Sequence, residues 1–238
     1  MTSPDALRGR TALVAGASRG IGRCIAEQLA AAGAQVWLAA RSSDLLAEVA
    51  GSTGGTALPL DLTDDASVWS AMDQLREQEA IPHIVVNAAG VFSMERLADE
   101  TVRDFDLNLS VNLRGAFLLV RALLPDLLER GSGLIVNVGS VAGRKAFAGN
   151  AAYSASKFGL RGMHEVLLEE IRGTGVRATL VEPAATDTSI WDPFDPDADP
   201  ALPDRSGMLD PDDVAEAVLF AATRSDNIQI PVIQIERA

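Results

Sequence analysis

Short apolar runs alternate with stretches of helical period all the way from Thr11 to Ile235. Strands separated by helices run parallel, with each helix as a crossover, so the alternation predicts an α/β fold: a doubly wound parallel sheet with helices on both faces. Seven strands are expected, near Thr11–Ala15, Gln35–Ala40, Thr56–Leu60, His83–Ala88, Leu134–Gly139, Val176–Glu182 and Ile228–Ile235. Helices are expected at Ile21–Ala32, Ser43–Ala50, Asp64–Gln78, Thr101–Arg130, Ala151–Gly173 and Asp210–Thr223. Gly33 and Gly131 follow two of them as C-terminal caps, and Asp210 with Pro211 reads as an N-cap and first-turn proline.

At 238 residues, 47 % of them hydrophobic, the chain has the size and composition of one globular domain over residues 1–238. Its net charge of −13 repels nucleic acid and anionic membrane surfaces, and no continuous run reaches the roughly 20 apolar residues of a membrane span. The opening MTSPDALRGR has no apolar core of signal-peptide length, so a cytoplasmic location is expected. Cys24 is the sole cysteine, which excludes an intrachain disulfide and a cysteine zinc site. His83 and His164 have no metal-ligand company, and no metal is expected. Trp191–Asp213, with five prolines and eight aspartates, reads as a long loop.

Directly after the first strand, Gly16-Ala17-Ser18-Arg19-Gly20-Ile21-Gly22 opens the first helix. Such a turn brings backbone N–H groups close to a pyrophosphate at the positive helix end, although a plain tight turn has the same look. The second strand ends Ala39-Ala40-Arg41-Ser42, without the acid that an NAD site offers to the ribose 2′-hydroxyl. Arg19 and Arg41 suit a 2′-phosphate instead, which selects NADP(H). Solvated arginines are the competing explanation, since Arg supplies 18 of the 20 basic residues.

Tyr153 is the only tyrosine and Lys157 one of two lysines. Four residues apart on a helix, they share a face. A phenol of pKa about 10 is a poor base near neutrality, and a neighbouring ammonium is expected to lower it. Ser140 closes the fifth strand at the edge where open α/β sheets bind ligands, in reach of a substrate oxygen.

In type, order and spacing, Gly16, Gly20 and Gly22, with Asn112, Ser140, Tyr153 and Lys157, resemble the short-chain dehydrogenase/reductase family over nearly the whole chain. The resemblance implies a Rossmann fold and hydride transfer at nicotinamide C4, Tyr153 trading the proton with a small carbonyl or alcohol substrate. It implies that Lys157 binds the cofactor ribose and that Asn112 holds a water against Lys157. Asp61-Leu62 are implied to hold the adenine. Asn87-Ala88-Ala89-Gly90 resembles the family's Asn-Asn-Ala-Gly, with Asn87 on the ribose side and bracing the sheet. Pro183 to Thr188 resembles Pro-Gly-x-x-x-Thr, with Thr188 on the nicotinamide carboxamide and Thr186 adding a backbone contact. Ala15, Ala88 and Ala184 depart from the family's Thr, Asn and Gly.

The segment at about 188–209 falls where the family places a substrate lid, with Trp191 and Phe194 supplying apolar contacts to a modest, uncharged substrate; a solvated loop is the alternative. Phe147, Asn150 and Ala185 are expected to shape selection. A 3-oxoacyl-carrier-protein reductase is favoured by Arg144 and Lys145 and opposed by the acidic lid and by the ending Ile235-Glu236-Arg237-Ala238, which lacks glycines. A non-catalytic NADPH sensor is opposed by the Tyr153–Lys157 pair, and a longer sugar-nucleotide epimerase by the absence of room for a second domain. Relatives of this kind pair through the fourth and fifth helices, so a homodimer or homotetramer is expected.

Overall fold

The computed structural model describes residues 5–238. Its strands are β1 Thr11–Ala15, β2 Gln35–Ala40, β3 Thr56–Pro59, β4 Ile84–Asn87, β5 Gly133–Val138, β6 Val176–Pro183 and β7 Val232–Ile235. They form one parallel sheet in the order β3-β2-β1-β4-β5-β6-β7. The helices are α1 Gly20–Ala31, α2 Ser43–Thr53, α3 Asp65–Glu77, α4 Val102–Asn108, α5 Gly115–Arg130, α6 Ala151–Glu170 and α7 Pro211–Ala222.

Alternate residues of a strand point to opposite faces, and β1 feeds two cores in this way. Ala12 and Val14 pack with Ile25 and Leu29 of α1, Leu46 of α2 and Val214 of α7. Leu13 and Ala15 pack with Met72 of α3, Leu119 and Leu123 of α5 and Leu167 of α6. Both faces of the sheet are therefore covered, which explains why its strands read as apolar runs rather than as alternating patterns. The strand order reverses between β1 and β4, where Ala15 lies beside Asn87, and this opens a crevice at the carboxyl edge.

Three departures from the sequence expectation have identifiable reasons. The single helix expected at Thr101–Arg130 contains a π-helical turn at Leu109–Arg114 between α4 and α5; apolar periodicity does not register one widened turn. Val102–Arg130 is long and apolar enough to cross a membrane by length and composition, but over half of its most apolar window is buried in the protein, where α5 supplies core leucines. The last strand begins at Val232 rather than Ile228, because the Gln229 side chain takes the place of backbone pairing: its Oε1 accepts from Ala178 N at 3.2 Å and its Nε2 donates to Ala178 O. The segment expected as irregular holds short 3₁₀ turns at Ser189–Phe194 and Arg205–Gly207. Arg205 gathers it, pairing with Asp187 and, at 2.7 Å, with Asp192.

Both histidines are structural. His164 is fully buried between Asn137 and the Pro231 carbonyl, 3.1 Å from Nε2, and His83 Nδ1 accepts from Thr11 N at 3.0 Å. Burial pushes both below the ordinary histidine value, and Arg130 and Arg10 add to the shift of His83. Below about pH 6.5 the unfolded chain therefore binds more protons than the native state, and stability falls as pH drops from there. Denaturant midpoints should decline between pH 7 and pH 5, and His164→Gln should flatten that slope; an equally steep slope in the variant counts against this account.

Candidate active site

At the carboxyl edge the first turn after β1 is forced to be glycine. Gly16 has φ +84°, and a Cβ there would lie 2.6 Å from Ala89 N; a Cβ on Gly22 would lie 2.2 Å from Gly16 O. Turn, α1 and the backbone after β4 thus pack at distances that only bare glycine permits. The N-terminus of α1 carries no acid in its first turn, leaving its positive end and free N–H groups open to an anion. Thr188 lies over this turn, its Cγ2 3.2 Å from the Cβ position of Gly20.

Beyond the turn, a cavity of about 1260 Å³ runs from Arg19 and Arg41, both exposed, past Asp61 and Leu62 to Ser140, Tyr153 and Trp191. Asp61 Oδ1 accepts from Thr63 N at 2.9 Å and Thr63 Oγ1 at 2.8 Å. Desolvation raises its pKa, but the Thr63 bonds and the charge of Arg41 outweigh it and hold the carboxyl below its usual value. Ser18, Ile21, Ala88, Gly90, Pro183 and Thr186 also line this space. The Thr186 hydroxyl is committed to Ala184 O at 3.0 Å.

Two of the expected site residues do not reach the cavity wall. Asn87 is buried within the sheet, its Oδ1 unpaired. Asn112, carried inward by the π turn, is 1 % exposed. Its Nδ2 donates to Val91 O at 2.9 Å and to Ser156 Oγ at 3.0 Å, and its Oδ1 accepts from Val91 N at 2.8 Å. The side chain thus latches the segment after β4 to α6.

Tyr153 and Lys157 share one face of α6 as expected, and Ser140 approaches from the end of β5. Ser140 Oγ accepts from Ala142 N at 3.1 Å, which leaves its O–H to hydrogen-bond the phenol. Burial raises the Tyr153 pKa, and the Ser140 bond offsets part of that rise. The expected lowering by Lys157 does not occur in this state. Lys157 Nζ donates to Val138 O at 3.0 Å and lies 5.6 Å from the phenol ring centroid, and burial brings its own pKa down to about 8. Desolvation dominates at both groups.

Two further residues shape the site, and one of them has no local signal in the sequence. Phe92 stands edge-on to Tyr153 at 4.9 Å between centroids and touches Trp191 and Phe194, each at 5.1 Å; nothing local links residues a hundred positions apart. Glu182, fully buried one residue before Pro183, accepts from Arg161 at 2.7 and 2.9 Å and lies 3.6 Å from Arg144. An acid inside an apolar strand was the available signal. Arg144 also pairs with Glu236, so its charge is engaged inside the protein.

The family model for short chain dehydrogenases matches residues 10–199. The chain belongs to this family and is an oxidoreductase. An uncharacterized oxidoreductase of Staphylococcus aureus strain N315 is 33 % identical over 232 residues, 96 % of this chain and 97 % of the relative. D-threitol dehydrogenase of Mycolicibacterium smegmatis is 36 % identical over 226 residues, 91 % of this chain and 87 % of that one. Among solved structures, the closed form of serine dehydrogenase complexed with NADP+ superposes with a TM-score of 0.88 at 29 % identity, covering 94 % of each chain.

Removing the Glu182 charge leaves Arg161 and Arg144 without their buried partner. Because Arg161 is about a third exposed, water recovers part of the loss. Glu182→Gln should lower unfolding stability by about 2 kcal/mol in denaturant titration; a change under about 0.5 kcal/mol contradicts the bracing role.

Proposed function

We propose that the chain is an NADP(H)-dependent oxidoreductase that interconverts a small or medium carbonyl compound and its alcohol, with Tyr153 as general acid in reduction and general base in oxidation. The observation that carries this reading is the continuous cavity shared by the glycine turn, Arg19, Arg41, Ser140, Tyr153 and Lys157. The bare turn and the acid-free start of α1 fit a pyrophosphate. Arg19 and Arg41, beside a strand end without a carboxylate, fit a 2′-phosphate. The NADP+ complex of serine dehydrogenase supports the same choice, and the names of that protein and of D-threitol dehydrogenase support an alcohol as the reduced substrate.

The nicotinamide, when bound, supplies or accepts the hydride. Thr188 and Pro183 hold its end of the cavity, and Lys157 offers Nζ protons to the ribose hydroxyls. Ser140 donates to the substrate oxygen, and the Tyr153 O–H passes its proton to that oxygen as the carbon is reduced. A phenol whose pKa is raised by burial is in the protonated form that reduction requires. Trp191, tilted against Phe92, closes the apolar side of the cavity, and Phe194 stands edge-on to Phe92 behind that wall. The engagement of Arg144 with Glu182 and Glu236 removes much of the cationic rim that would favour a carrier protein.

Two experiments test the proposal. NADPH oxidation against a panel of ketones and aldehydes should exceed NADH oxidation, and Arg41→Ala should reduce that preference by about tenfold or more, the worth of a charge-assisted bond; equal rates with both cofactors refute the NADP(H) assignment. Tyr153→Phe should lower kcat by about 10²-fold or more, and a variant that keeps its activity removes Tyr153 from proton transfer.

A further inference from the structure

Asn150 occupies the N-cap of α6, where asparagine is among the residues best able to accept from the N–H groups of the first turn. It makes no such bond. Its Oδ1 is buried without a partner, and the residue lines the cavity three positions before Tyr153. The backbone beside it is fixed, with Glu95 N donating to Gly149 O at 2.9 Å and Ser154 N to Asn150 O at 2.8 Å. A buried amide oxygen left unbonded is costly, and on a half-buried residue of a ligand cavity it marks a place where a ligand completes the bonding.

We infer that Asn150 is a substrate-binding residue that takes a second hydroxyl, on the carbon next to the reacting one, so that the preferred substrates are vicinal diols and the α-hydroxy carbonyl compounds formed from them. This inference rests on the oxidoreductase reading above and names its substrate class. A hydroxyl donates and accepts through one atom and so satisfies either end of the amide. With no bond to break, the amide turns toward it at little cost. Side chains three positions apart at a helix start stand about 5–6 Å apart at Cβ, so a substrate oxygen held by Ser140 and Tyr153 leaves the oxygen of the adjacent carbon within reach of Asn150. Phe92 and Trp191 offer apolar faces for the C–H side of such a molecule.

The test uses two alcohols that differ by one hydroxyl, 2,3-butanediol and 2-butanol, oxidised with NADP+ by the wild-type chain and by Asn150→Ala. The wild type should favour the diol by about tenfold or more in kcat/KM, and the variant should lose most of that ratio. A wild-type ratio near one, or a ratio unchanged in the variant, overturns the inference. Should Asn150→Ala fail to fold, the wild-type ratio alone decides. If neither alcohol is oxidised, calorimetric titration of both into the protein loaded with NADP+ separates the two readings. A diol preference in binding that Asn150→Ala abolishes upholds the site while the hydride-transfer reading falls, and no preference in binding overturns the inference.

Discussion

Parallel strands leave all their carboxyl ends on one edge, and that constraint governs the whole molecule. Because helices cover both faces of the sheet, the edge is the place where backbone polarity, helix termini and loops meet without a core to satisfy. Gly16 after β1, Ala88 after β4, Ser140 after β5 and Pro183 at the end of β6 arrive there together through strand register alone. What keeps the edge in shape is side-chain bracing from behind. Asn112 ties the segment after β4 to α6, and Glu182 ties the end of β6 to the same helix. Helix α6 is thereby clamped from two sides, and it carries Tyr153 and Lys157.

Electrostatics within the clamp differ from the simple picture of an ammonium activating a phenol. Burial pushes Tyr153 up and Lys157 down to about 8, so each charged form is disfavoured, while Lys157 Nζ donates a hydrogen bond to Val138 O. An anionic cofactor reverses that tendency, since a nearby negative charge favours the ammonium. The protonation state of the pair is thus linked to what occupies the cavity.

Much of this was legible in the sequence because it depends on local pattern. Apolar runs gave the strands, the glycine turn gave the start of α1, and the four-residue offset of Tyr153 and Lys157 gave a shared helix face. The rest depends on contacts between distant segments. The π turn that carries Asn112 inward, the Gln229 amide that replaces strand pairing, and the tilted contact of Phe92 with Trp191 have no signature within a short window. Asn87 and Asn112 were recognised as important by type and position, yet both stand behind the cavity wall rather than in it. Residue identity shows that a polar group is needed; only packing shows whether it faces a ligand or holds up the wall.

The segment around Arg205 is held together by charge rather than by a core. One guanidinium collects Asp187, Asp192 and Asp197, so the loop between Asp192 and Arg205 is closed at its base by a single knot and owes little to the sheet beneath. Within that closed loop, Ala201, Leu202 and Pro203 reach the cavity wall opposite the sheet edge. The sheet edge and the loop that faces it are thereby built as separate parts of one chain, with Arg205 as the seam between them.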